Sequence, residues 1–226
     1  MSSRPLQWLD RLAHDLRGPL TPLQTAAYLL RSGKLDAPKQ AELLELMERQ
    51  TRRLGRMIDE VGDWSRASQE RLVSVNEVVE TELLVDMACS ALPAVDGVSV
   101  SGEFAGDAGQ CKVRCDMQRL VQLLRSVIEF AIARSGQVPR VTGARADHSV
   151  LIEVSDSGPA LDEVSRAGLL TEPLPEPPDE GLGLRLLIAS AIAEAHAGRL
   201  QVENAEAGGL RWRLELPVEQ PPAVST

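Results

Sequence analysis

Apolar residues recur every three or four positions near the start of the chain, at Leu6, Leu9, Ala13, Leu16, Leu20, Leu23, Ala26, Ala27 and Leu30. This is the stripe of an amphipathic helix, and Arg11, Asp15 and Gln24 fall between its positions. Ser32, Gly33 and Pro38 mark a turn. A second stripe follows at Leu43, Leu46, Met47, Leu54, Met57, Ile58, Val61 and Trp64, so residues 4–68 read as a long helical hairpin. Two helices cannot enclose a core when each carries an apolar stripe. The pattern therefore predicts a homodimer whose two hairpins form a four-helix bundle.

Beyond residue 70 the texture changes. Val98–Val100, Val150–Val154 and Leu210–Leu216 read as strands, and Glu77–Met87, Met117–Ser135 and Leu184–Ala197 as helices. The expected fold class is α+β, with the helical hairpin followed by an α/β sandwich of one sheet covered by helices. The domains divide as 1–70, 71–218 and a disordered tail over 219–226. Thr171–Glu180 carries four prolines and reads as a loop long enough to be a lid.

Composition narrows the function classes. Aromatics are only 3% of the 226 residues, so the core is aliphatic. The net charge of -9 is uneven: residues 1–70 hold 11 basic and 10 acidic side chains, and the remainder holds 13 and 23. No basic patch points to nucleic acid. An acidic domain that handles a nucleotide needs local phosphate-binding groups or a metal ion. Cys89, Cys111 and Cys115 have no metal-site spacing and read as free thiols. The start, polar and without an apolar core, is no signal peptide, and no run reaches the roughly 18 apolar residues of a membrane span. The expected location is cytoplasmic, with room for a sensor segment in a longer protein.

The first chemical constellation is His14-Asp15-Leu16-Arg17-Gly18-Pro19-Leu20, inside the first predicted helix. A helix-interior proline costs about 3 kcal/mol and removes a donor, so Pro19 is out of place unless the site requires it. Neutral imidazole is a nucleophile near neutral pH, and an adjacent carboxylate can hold the proton of the other ring nitrogen. The second is Asp156-Ser157-Gly158, a turn after a strand. The third is Gly181-Leu182-Gly183-Leu184 entering a helix, where backbone N–H groups can meet phosphates. His148 and His196 read as structural.

These segments resemble, in order and over roughly residues 4–217, the core of bacterial two-component sensor histidine kinases. Six of seven positions around His14 agree with the family's phosphoacceptor box. The resemblance implies ATP-dependent phosphorylation of His14, aided by Asp15 and Arg17, and transfer to an aspartate on a response-regulator receiver domain. It also implies an ATP site in which Asp156 reads the adenine amino group and Gly158, Gly181, Gly183 and Arg134 help to bind. Asp116, Arg119, Leu120 and Gln122 mark the start of the family's asparagine helix.

Several positions depart from the family. Its Mg²⁺-binding asparagine falls on Phe130 and the preceding asparagine on Ser126. Its lysine and aromatic fall on Ala133 and Arg134, and glycines fall on Ala160 and Asp179. A phenyl ring offers no oxygen to Mg²⁺; a register shifted by one residue would put Glu129 at the metal. Gly18 stands where Thr or Asn would position water for dephosphorylating a partner. Three readings follow. The first is a kinase using ATP and Mg²⁺. The second is a phosphotransfer protein or pseudokinase whose His14 relays phosphoryl groups from another protein. The third is a scaffold that pairs with another histidine kinase.

Overall fold

The computed structural model describes residues 4–33, 35–178, 180–206 and 208–219. The side chains of Leu6, Leu9 and Ala13, all of Asp179 and nearly all of the tail 219–226 lie outside the described residues. The chain forms two compact units, 1–62 with 174–183, and 63–173 with 184–226.

The first unit is built on α1 (Arg4–Arg31) and most of α2 (Ala37–Ser68). The Asp36 side chain opens α2 by accepting the Lys39 N–H at 3.0 Å. Along the stripes, Ala26 and Met57 are buried, whereas Leu20 and Ile58 are 42% and 63% exposed in the single chain; Tyr28 and Leu44, beside the stripes, are exposed as well. That is the exposure pattern the unpartnered stripes predict. Residues 174–183, which overlap the stretch Thr171–Glu180 read as a lid, cluster with this hairpin.

The second unit holds a five-stranded sheet in the order β2 (Gly102–Phe104), β4 (Arg140–Ala146), β5 (Ser149–Ser155), β7 (Leu210–Pro217), β6 (Arg199–Asn204). β2 and β4 run parallel; the other neighbours are antiparallel. Strand alternation gives the sheet two unlike faces. Val150, Ile152 and Val154 of β5 pair across with Leu216, Leu214 and Trp212 of β7 and are buried with them. The other face carries charged pairs such as Arg213 with Glu153 at 2.6 Å.

Helices α3 (Thr81–Ser90), α4 (Met117–Ser135) and α6 (Arg185–Ala195) pack on one another and on the apolar face, and a short α5 (Glu163–Gly168) precedes the lid. α4 buries Leu120, Leu123, Leu124, Val127, Ile128 and Ala131, a helical stripe in which each buried Leu contributes about 1.5–3 kcal/mol. Asp116 caps its start and Gly136, at φ +67°, ends it. The segment Glu77–Met87, expected to be one helix, divides: β1 (Glu77–Glu80) pairs with β3 (Lys112–Cys115), and α3 begins at Thr81. Val98–Val100 forms no strand; Val98 makes an isolated bridge with Val95.

Candidate functional site

His14 lies in the middle of α1 with its side chain 86% exposed. Its Nδ1 is 3.2 Å from Asp15 Oδ1. With a proton on Nδ1, that contact leaves the Nε2 lone pair free in the ring plane. The helix continues through Pro19 and Pro22. Pro19 cannot donate to the Asp15 carbonyl, and the Thr21 hydroxyl donates to the Arg17 carbonyl at 3.4 Å. Arg17 is exposed, one turn from His14.

The lid segment lies against the same face. Arg53 Nε donates to the Glu180 carbonyl at 2.8 Å. The buried Glu60 carboxylate accepts the Leu182 N–H at 3.2 and 3.3 Å. His14, Asp15, Gly18, Arg53, Gly181 and Leu182 line a cavity of about 390 Å³. So Gly181 shares a cavity with His14, in the first unit. Gly183 has φ +77°, and a Cβ there would overlap the Leu174 backbone, whose N–H donates to the Gly183 carbonyl at 3.0 Å. Glycine is therefore required at this closure of the lid. The sequence does hold a signal for Glu60: it sits three residues after Met57, on the apolar face of α2.

In the second unit Asp156, Gly158 and Arg134 come together. Asp156 Oδ1 accepts the Gly158 N–H at 2.8 Å and Arg134 Nη2 at 3.2 Å. Beside them, Phe130 meets the buried Trp212 edge-on, with ring centroids 5.6 Å apart. The Ser126 hydroxyl is spent on the Gln122 carbonyl at 2.8 Å. Glu129 Oε1 pairs with Arg125 at 3.1 Å and Oε2 with Arg185. Both carboxylate oxygens thus face guanidiniums. No group of three or more His, Cys, Asp or Glu able to hold a metal occurs among the described residues. This donor set does not fit Mg²⁺, a hard cation that seeks free oxygens.

Two acids anchor the start of α4. Asp63, near the end of α2, accepts from Arg119 at 2.8 Å and from Gln122 at 2.6 Å, and pairs with Arg66 at 2.6 Å. Burial pushes its carboxyl up, but the hydrogen bonds of Arg66, Gln122 and Arg119 outweigh this and hold it below its ordinary value. Asp116 is buried too, and the N–H groups of Ser74, Val75 and Arg119 and the Ser74 hydroxyl likewise hold it low. His196 Nδ1 lies 2.7 Å from the Ile192 carbonyl and its Nε2 accepts the Asp116 N–H at 3.0 Å, a structural role. Burial, aided by Asp86, raises Cys89 to about 11, and burial, with Glu77 and Asp116, does the same for Cys115. Neither thiol is a nucleophile at neutral pH.

Residues 6–70 match the His Kinase A (phospho-acceptor) domain. Residues 115–220 match the histidine kinase-, DNA gyrase B- and HSP90-like ATPase family. The chain belongs to the histidine kinase family. It is 29% identical to the signal transduction histidine-protein kinase AfsQ2 of Streptomyces coelicolor over 229 residues, covering 94% of this chain and 42% of that protein. It is 27% identical to the adaptive-response sensory kinase SasA of a Synechococcus strain, covering 93% and 58%. The chain spans about half the length of the curated relatives it matches. Among solved structures, the fold matches the histidine kinase ThkA in complex with the response regulator protein TrrA, with TM-score 0.70, 22% identity and coverage of 94% and 61%. It matches Acinetobacter baumannii AdeS with TM-score 0.66, 20% identity and coverage of 92% and 98%. No helix of the described residues is long and apolar enough to cross a membrane.

Proposed function

We propose that this chain is the phosphoryl-transfer core of a two-component histidine kinase. It moves the γ-phosphoryl of ATP to His14 and passes it to an aspartate on a response-regulator receiver domain, acting as a homodimer in the cytoplasm. The observation that carries this reading is His14 itself: an exposed imidazole in an acceptor box, with Asp15 on its Nδ1. Asp15 holds the Nδ1 proton and stabilises the positive charge that grows on the ring. Nε2 bonds to the γ-phosphorus while the bond to the bridging oxygen breaks, and ADP leaves with that electron pair. Positioning and charge neutralisation supply most of the rate. Asp156 is the residue for the adenine amino group. The relatives are named as kinases and sensor proteins, which favours ATP as the source over a relay that only receives phosphoryl groups. Phe130, Ser126 and the clamped Glu129 do not suit Mg²⁺, so no step is assigned to a metal.

The test is incubation with γ-labelled ATP. Acid-labile label is expected on wild type and none on His14→Gln, whose fold is checked by circular dichroism. Label that persists on the variant would remove His14 from the reaction.

A further inference from the structure

The Asp156 carboxylate, which should read the base, is fully buried, at 0% side-chain exposure. Three donors meet Oδ1 and one meets Oδ2. Oδ1 takes the N–H of Gly158 at 2.8 Å, the N–H of Leu210 at 3.3 Å and Arg134 Nη2 at 3.2 Å. Oδ2 takes Arg134 Nε at 3.4 Å. Arg134 Nη2 also donates to the Pro159 carbonyl at 2.5 Å, so the guanidinium is tied to both ends of the 156–159 turn. The backbone closes in as well. A Cβ on Gly158 would stand 3.0 Å from both Asp156 Oδ1 and Arg134 Nη2, and one on Gly209, at φ +84°, would overlap the Asp156 carbonyl. The guanidinium, with 12% of its side chain exposed, completes this enclosure.

We infer that Arg134 occupies the base-reading position of the nucleotide site, and that a nucleoside must displace its guanidinium from Asp156 in order to bind. The inference rests on the reading of the sandwich as an adenine-nucleotide site. A two-point, charge-assisted pair is stronger than the neutral hydrogen bond an exocyclic amine can offer in exchange. After displacement the guanidinium can turn to water, but Asp156 stays enclosed and keeps only backbone donors. A buried carboxylate without its counter-charge is disfavoured, so each binding event is opposed by the loss of the pair. Arg134 stands where the family has an aromatic, which carries no charge to pair with the carboxylate.

The probe is adenosine, which has no phosphates, so that neither Mg²⁺ nor charge attraction to Arg134 enters. Calorimetry should find adenosine bound about tenfold more tightly by Arg134→Met and Arg134→Tyr than by wild type. Folded variants with no gain in affinity would overturn the inference. Removal of a buried charge partner can unfold a domain, so a measurement on wild type stands beside it. With ¹⁵N-labelled arginine, the Arg134 Nε–H should be protected from solvent exchange in the free protein. That protection should be lost as millimolar adenosine shifts the Gly158 and Leu210 amides. Shifts with protection intact, or no shifts at all, would sink the inference. Labelled phosphate on His14 separates the two readings: a protein that phosphorylates itself yet fails here loses only the role given to Arg134. Failure to bind nucleoside or to incorporate label in any variant would remove the functional reading as well.

Discussion

The carboxylate of Glu60 accepts the backbone N–H of Leu182, 122 residues further along the chain, at 3.2 and 3.3 Å. Both residues are buried. A backbone N–H of the glycine segment is thus held by an internal anion rather than left open to a phosphate. Glu60→Ala leaves that N–H without its acceptor, a loss of about 1–3 kcal/mol. The expected result is faster hydrogen exchange at Leu182, by about ten- to a hundredfold, with the α4 amides unchanged. Unaltered exchange at Leu182 would mean that other contacts hold the lid.

Asp63 makes the stability of the second unit acid-sensitive. Its folded pKa lies below its unfolded value of about 3.9. The unfolded chain therefore binds more protons between the two values, so stability rises with pH there. The contribution is fully present above about pH 4 and is lost as pH falls through the folded pKa. Asp116, also held low, acts in the same direction. Asp63→Asn should reduce stability by about 2 kcal/mol at pH 7, because Arg119 and Arg66 lose a charged acceptor. That corresponds to a drop in Tm of about 4–8 °C. The difference from wild type should shrink below pH 4. A constant difference from pH 7 to pH 3 would assign the loss to packing instead.

Ile58 is 63% exposed in the single chain although it belongs to the apolar stripe of α2, and Leu44 is 53% exposed. A second hairpin would cover them, each large aliphatic contributing about 1.5–3 kcal/mol. Wild type is expected to be a dimer in light scattering at micromolar concentration. Ile58→Glu should shift it toward monomer and leave the sandwich folded. A dimer unaffected by the substitution would place the interface elsewhere.

The arginines on Glu129 bear on metal dependence. With both oxygens facing Arg125 and Arg185, and with Phe130 packed on Trp212, ADP affinity should differ by less than about twofold between Mg²⁺ and EDTA. Asp179, where the family has a glycine, lies outside the described residues. A tenfold strengthening by Mg²⁺, about 1.4 kcal/mol, would show that Glu129 or another oxygen is released to the metal.

The features legible in the amino-acid order are local. The stripes of α1 and α2, the bounds of α4 at Met117 and Ser135, the place of His14 beside Asp15 and the strands around Val150–Val154 and Leu210–Leu216 were all legible. Periods of 3.6 and 2 are written into neighbouring residues. β4 was not legible, because Gly143 and two arginines break its alternation; Gly143 is there because the Phe104 ring fills the space of its Cβ. Glu77–Met87 is apolar on several spacings and reads as helix throughout, and only pairing with β3 makes its first four residues the strand β1. The charged partners were decided by tertiary structure alone. Arg134 meets Asp156 across 22 residues, Arg119 meets Asp63 across 56 and Glu60 meets Leu182 across 122. An ion pair leaves no periodic trace in sequence. Its energy depends on where the chain returns and how much water is removed when it does, and both are properties of the folded chain.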